Sequence, residues 1–74
     1  MLTLHESYSQ LVAHFGSQQK TAKALGCKQP SVSAWLQGKA NMSAPLALKA
    51  ERLTNGEFKA DDLCPALATL EAVE

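Results

Sequence analysis

Apolar residues in the first part of the chain recur at helical spacing and do not alternate as they would in a strand. Steps of four, three, one and three separate the residues of one apolar stripe, which are Leu4, Tyr8, Leu11, Val12 and Phe15. Thr3 followed three residues later by Glu6 is a capping-box signature, and Gly16 is a stop. The pattern predicts a first helix from about Leu4 to Phe15.

A second helix is predicted from Ser17, which is a potential N-cap, to about Leu25. Ala22 and Leu25 lie three residues apart and therefore share one face. Gly26 follows at the point where the chain must turn in a left-handed conformation, which glycine reaches without a Cβ penalty. We expect a tight turn there.

The helix after the turn is predicted over about Pro30 to Gln37, with Gly38 as its end. Proline is accepted in a first helical turn because the N–H groups there have no intrahelical partner. Apolar side chains at helical spacing should point inward: Val32, Trp35 and Leu36. Trp35 is expected in the core and not as a platform for stacking bases. Two short helices joined through glycine specify a helix-turn-helix.

The second half of the chain is also rich in residues that favour helices, from Ser43 or Ala44 onward. Leu46, Ala50 and Leu53 form a stripe at i, i+4 and i+7, and Asn55-Gly56 supplies a stop. A strand would need alternating β-branched residues, but the chain has no isoleucine and only three valines. We therefore predict an all-α fold, a compact bundle of four to five short helices containing the helix-turn-helix.

The C-terminal part, about 57–74, is less defined by its pattern. Residues 59–64 are predicted as one helical turn broken by Pro65, and 66–72 either continue as a short helix or fray as a tail. Phe58 and Leu63 either close the core or form a dimer contact. The whole chain, 1–74, is interpreted as a single helix-turn-helix domain.

Charge is distributed unevenly although the net charge is zero. Residues 1–40 have a net charge of +3, with one glutamate against Lys20, Lys23, Lys28 and Lys39, and residues 41–74 have −3. The positive half contains the helix-turn-helix, so a basic face could meet phosphates while the acidic half stays away. The alternative is solvated surface charge with no partner.

Several classes of function find little support in the sequence. No long apolar run or signal-peptide pattern is present, so we expect a protein of the reducing cytosol, without a membrane partner. Cys27 and Cys64 match no zinc spacing, and His5 and His14 share no ligand spacing. We expect no metal, no cofactor and no small-molecule substrate. Without a paired-carboxylate cleft or an activated nucleophile, an enzyme is not expected.

The helix-turn-helix region also carries a family resemblance. Phe15-Gly16, the run Thr-Ala-Lys-Ala-Leu-Gly over residues 21–26 and Ser31-Val32-Ser33 resemble the Cro repressors of lambda-like phages. YdaS-type antitoxins are similar too. The resemblance is good over about residues 10–40 and implies a dimeric transcriptional repressor of a phage or prophage. Its third helix would enter the major groove of a short palindromic operator in double-stranded DNA.

The resemblance also implies roles for individual residues. Positions that would read base edges are Lys28, Gln29, Ser33, Ala34 and Gln37. Positions that would contact phosphates, at the start of the second helix and after the third, are Ser17, Gln18, Gln19 and Lys39. Pro30 departs from the expected pattern because it offers no donor. The alternative function is a protein-binding helical module such as an antitoxin.

Overall fold

The computed structural model describes residues 3–65 and residue 67, and within them it contains five helices and no strand. The helices are α1 (Leu4–Phe15), α2 (Gln18–Leu25), α3 (Gln29–Leu36), α4 (Ala44–Leu53) and α5 (Ala60–Leu63). The predicted all-α class is confirmed. None of the described helices is long and apolar enough to cross a membrane.

Two compact units make up the chain, and the boundary between them falls between Asn41 and Met42. In the first unit, each of α1, α2 and α3 contacts the other two. In the second unit, α4 packs against α5. The assignment of the whole chain to a single domain stays a prediction.

Helix α1 begins and ends at the residues predicted from the sequence. The Thr3 hydroxyl oxygen accepts a hydrogen bond from the Glu6 backbone N–H at 3.1 Å, which caps the helix. The same hydroxyl donates to Glu6 Oε1 at 3.1 Å, so the capping pair is reciprocal. Tyr8 and Leu11 are buried, whereas the rest of the apolar stripe is half-buried. The centre of the stripe therefore forms the contact with the rest of the unit.

The core of the first unit is built around the predicted inward residues of α2 and α3. Leu25 and Val32 are almost completely buried, and Trp35 is 4% exposed. The Trp35 ring lies 5.9 Å from the Tyr8 ring, centroid to centroid, at an interplanar angle of 37°. The prediction that Trp35 is a core residue is confirmed, and Leu36 is only half-buried.

The turn between α2 and α3 is fixed by backbone hydrogen bonds around Gly26. Gly26 has φ 74° and ψ 30°, in the left-handed region. The Cys27 N–H donates to the Ala22 carbonyl at 2.9 Å, and the Gly26 N–H donates to the Lys23 carbonyl at 3.3 Å. This pair of bonds is a Schellman motif, which satisfies carbonyls that a helix end leaves open. The predicted role of Gly26 is confirmed.

Replacing Gly26 by valine should therefore lower the free energy of unfolding by at least ~1 kcal/mol, because a β-branched residue is strained at positive φ. In a domain of this size that loss corresponds to a melting temperature lower by roughly 4–8 °C. Gly26→Asn is the matched control, since asparagine tolerates the left-handed region, and it should lose less. A valine variant that melts with the wild type would contradict the assignment of the turn.

Helix α3 begins one residue earlier than predicted and ends one residue earlier. Lys28 is its N-cap without a side-chain cap, and Pro30 occupies the second helical position. The Ser31 N–H donates to the Lys28 carbonyl at 3.0 Å, so the first turn already closes around residue 28. Gly38, at φ 75°, follows the C-cap, and the Lys39 N–H donates to the Ala34 carbonyl at 2.9 Å. The chain leaves α3 in the same way as it leaves α2.

Helix α4 corrects one sequence expectation. The predicted stripe included Leu53, but this side chain is 47% exposed, and the buried residues of the helix are Ala47 and Ala50. Small alanine side chains let the neighbouring backbone approach closely, and α4 packs on α5. The buried face continues to Thr54, whose hydroxyl donates to the Ala50 carbonyl at 2.8 Å. The predicted stop is confirmed, with Asn55 at φ 53° and Gly56 at φ 82°.

The second unit closes through α5, the short helical turn predicted over residues 59–64. Glu51 Oε1 accepts a hydrogen bond from the Ala60 N–H at 2.6 Å, so a carboxylate of α4 satisfies the start of α5. Leu63 is fully buried and closes the core, whereas Phe58 is half-buried. Of the helix or tail predicted over 66–72, all residues except Leu67 lie outside the described part.

Candidate nucleic-acid interface

The first turns of α2 and α3 lie side by side and enclose an open surface depression of about 340 Å³. Its lining residues come from both helices: Gln18 from α2, and Gln29, Pro30 and Ser33 from α3. Gln18 and Gln29 are eleven positions apart in the sequence, and the tight turn at Gly26 brings them to one place. The two glutamine amides and the serine hydroxyl give the depression hydrogen-bonding groups around the proline ring.

Helix α3 divides cleanly into an inner and an outer side. Val32 and Trp35 are buried, whereas the predicted base-reading residues are exposed or half-buried: Lys28, Gln29, Ser33, Ala34 and Gln37. The Gln37 Nε2 amide donates to Ser33 Oγ at 2.9 Å, one helical turn away. The bond leaves the Ser33 hydroxyl proton and the Gln37 carbonyl oxygen available to a ligand. The accessible side of α3 is thus mostly polar, with Ala34 as a small apolar position.

The start of α2 contains the predicted phosphate contacts. Ser17 Oγ accepts a hydrogen bond from the Lys20 N–H at 3.1 Å, so its predicted role as N-cap is confirmed. The Thr21 hydroxyl donates to the Ser17 carbonyl at 2.8 Å and stabilises the same turn. Gln18 is half-buried and Gln19 is exposed. An uncharged helix N-terminus of this kind favours an anion, because the helix dipole is positive there.

The same unit carries exposed basic side chains. All four lysines of the first unit are exposed, Lys20 and Lys23 on α2, Lys28 at the start of α3 and Lys39 after its end. The backbone of Lys39 is held against α3 by its hydrogen bond to Ala34. The unit carries one acidic residue, Glu6, so it offers a net positive surface to an anionic partner.

Other chemistry is sparse in the part of the chain that the structure describes. No group of three or more His, Cys, Asp or Glu residues is placed to hold a metal ion there. His5 and His14 are exposed, and the His14 ring packs edge-on against Phe15 at 5.2 Å between centroids. Cys27 is half-buried in the turn, whereas Cys64 is buried in the second unit. None of these residues joins the depression.

Six of the nine predicted site residues fall into two groups, whereas Ser17, Gln19 and Ala34 belong to neither. Gln18, Gln29 and Ser33 meet around the depression, and Gln37 is connected to it through Ser33. Lys28 and Lys39 flank the two ends of α3. The sequence interpretation did not place Pro30 in a shared site, although its lack of a donor had set it apart. Which of these residues touch DNA stays a prediction.

Comparisons with known proteins agree on one family. The chain matches the family described as "Bacterial toxin YdaS" over residues 8–68. It is 54% identical over 59 residues to the regulatory protein cro of Pseudomonas phage D3, covering 80% of this chain and 81% of the relative. It is 36% identical over 59 residues to the putative transcriptional regulator YdaS of Escherichia coli K12, covering 80% of this chain and 60% of that protein.

No solved structure matches the chain. The two relatives are named as regulators and neither is named as an enzyme, whereas the family description speaks of a toxin where the sequence had suggested antitoxins. The match to the family and to the phage protein each extends over most of the chain. On this evidence the chain belongs to the YdaS family and is a homologue of phage Cro.

Proposed function

We propose that this protein is a DNA-binding regulator of transcription, more specifically a Cro-like repressor. It would bind a short palindromic operator as a dimer, with α3 in the major groove. It would do so in the bacterial cytoplasm, at the nucleoid. The names of the two relatives support the regulatory role.

The observation that carries the proposal is the shared depression at the first turns of α2 and α3. It joins Gln18, Gln29 and Ser33 on a unit whose four lysines are all exposed. A glutamine amide can pair with the N6 and N7 groups of adenine, and a serine hydroxyl can bond to several bases. Lysines around such a surface supply the attraction to phosphate that does not depend on sequence.

A dimer is proposed because one recognition helix of eight residues spans only a few base pairs. Leu63, which the sequence offered as a core or a dimer residue, is fully buried within the second unit. Leu48 and Leu53 are 52% and 47% exposed, so α4 retains apolar surface that a second copy could cover. Such burial would compensate for the small number of large core side chains in a chain of 74 residues.

The alternative is a protein-binding helical module such as an antitoxin, and the description of the matching family as a toxin favours it. The dependence of binding on salt concentration distinguishes these two functions. Binding to DNA should weaken steeply as salt rises, because the protein releases counterions from phosphates, whereas an apolar protein interface should change little.

The decisive experiment is the selection of bound sequences from random double-stranded DNA at several protein concentrations. We expect one enriched palindrome whose occupancy rises cooperatively with protein concentration. Recovery of unenriched DNA at low salt, with no binding left near physiological salt, would reject sequence-specific regulation.

Base reading by α3 predicts a specific pattern for two alanine variants. Gln29→Ala and Ser33→Ala should each cost on the order of 1–3 kcal/mol on the selected operator and relax the preference at one position. Gel shift or anisotropy titrations against operators changed at single positions measure both effects. Ser31→Ala, on the same helix but not lining the depression, is the control. Retained preference and tight binding in both variants would mean that α3 is not the reader.

Lys39 should behave differently if it contacts only phosphate. Lys39→Ala is expected to weaken all DNA sequences about equally and to make the plot of log affinity against log salt shallower by ~1. Titrations at four salt concentrations on operator and on random DNA provide the measurement. Lys28→Ala in parallel assigns the second lysine at the ends of α3. A loss confined to the operator would make Lys39 a base contact.

A further inference from the structure

We propose that the depression at the first turns of α2 and α3 recognises the 5-methyl group of a pyrimidine, with the Pro30 ring as its apolar wall. In an unmodified operator this pyrimidine is thymine. The inference rests on the proposed function, and it assigns a task to a residue that offers no hydrogen-bond donor at an expected contact position.

The residues that line the depression differ in their chemistry. Three of its four lining residues bring amide or hydroxyl groups, and Pro30 alone brings an apolar surface. Pro30 is exposed, although apolar atoms at that place do nothing for the core. Because its nitrogen carries no hydrogen, it can offer a base only van der Waals contact. The exposed ring is therefore suited to an apolar group that arrives with a ligand.

The edges of the bases in the major groove of DNA also differ in their chemistry. Among the four bases, thymine alone presents an apolar group in the major groove, the C5 methyl, and it does so beside the O4 acceptor. Adenine, its partner, presents the N6 donor and the N7 acceptor. An amide such as that of Gln29, next to an apolar wall, matches the two halves of one A·T pair.

The position of Pro30 in α3 also suits this contact. Pro30 is the second residue of the helix, directly after Gln29, and its ring has no side-chain rotamers to order on binding. The depression, with a volume of about 340 Å³, is open to solvent, so the edge of a base can approach the Pro30 ring from outside. Ala34, which could also meet a methyl group, does not line this depression.

The test replaces each thymine of the selected operator by uracil, one at a time, which removes the methyl group and leaves every hydrogen-bonding group in place. With the wild-type protein, one thymine in each half-site should show a loss of about fourfold in affinity, the value of one buried methyl-sized group. The other thymines should show less. An operator in which no thymine responds to the replacement would overturn the proposal.

Variants of the protein then test whether Pro30 makes the contact with the methyl group. Pro30→Ala keeps a helix-compatible residue, and its circular dichroism and melting curve establish that it folds. In this variant the uracil and thymine operators should bind equally, whereas Ser31→Ala should retain the fourfold difference. A difference that survives in folded Pro30→Ala would place the methyl against another residue. The wild-type measurement stands even if Pro30→Ala fails to fold.

A second probe keeps the methyl group and changes the base. With the responding T·A pair replaced by C·G, methylation of that cytosine at C5 should restore about fourfold in affinity to the wild type and nothing to Pro30→Ala. If the proposed function as a DNA-binding regulator is wrong, the result is different, because a protein that selects no DNA sequence has no operator to modify. Specific binding that is indifferent to both probes rejects the methyl site alone.

Discussion

Replacing Trp35 by alanine is expected to remove about 3–5 kcal/mol of the free energy of unfolding, the usual cost of deleting a large buried aromatic side chain. Trp35 is 4% exposed and its ring packs at a tilt against the ring of Tyr8, so the substitution would leave a cavity in the core. A chain of this length has a total stability of only about 4–11 kcal/mol. Chemical denaturation should show a variant close to unfolding at room temperature.

The chain has one tryptophan, so fluorescence reports directly on this side chain. Emission should be that of a buried indole, and addition of operator DNA should leave it nearly unchanged. Trp35→Phe should recover much of the stability, and Ser31→Ala on the exposed side of α3 should stay within about 0.5 kcal/mol of the wild type. Strong quenching by DNA, with unchanged stability of Trp35→Ala, would instead make Trp35 a base-stacking residue.

An insertion of five base pairs at the centre of the operator is expected to lower affinity by about 10²–10⁴-fold. Linked half-sites gain that much from an effective concentration, and the gain is lost when geometry forbids joint engagement. In a two-fold dimer, reading helices stand about 34 Å apart and face half-sites one helical turn, or ~10 base pairs, apart. Half a turn of extra DNA moves one half-site to the opposite face.

An operator cut to a single half-site sets the lower limit for this measurement, and the lengthened operator should approach it. Sedimentation of the free protein over a range of concentrations gives the dimer equilibrium independently. Full affinity on the lengthened operator would mean that the protein binds as a monomer or through a flexible dimer. The proposed two-fold geometry would then be wrong.

Local signals in the sequence were sufficient for the architecture of the first unit. Thr3 and Ser17 cap α1 and α2 as predicted, and Gly26 turns the chain in the left-handed region. Caps and glycine turns are specified by neighbours within a few residues, so a single sequence contains them. The one-residue offset of α3 has a local cause too, because Lys28 closes the first turn without a side-chain cap.

Features that depend on tertiary packing were not accessible in the same way. Periodicity identified Leu46, Ala50 and Leu53 as a stripe, but it cannot rank leucine against alanine when close approach decides which face is buried. The hydrogen bond from Ala60 to Glu51 spans nine residues between two helices, and no spacing rule predicts it. The depression likewise required the crossing of α2 and α3. Its individual polar residues were predicted, but their meeting around Pro30 was not.

The alanine face of α4 has a consequence for how relatives of this chain can diverge. At Ala47 and Ala50, both with no exposed surface, glycine would cost the helix roughly 1 kcal/mol, and any larger residue would overpack the surrounding core at a cost of about 1–3 kcal/mol. An exposed neighbour such as Arg52 has no such limit. Substitutions accumulating over evolutionary time should therefore avoid these two small residues and change the exposed residues of α4, so that the helix remains recognisable by its alanines after its leucines and charges have been replaced.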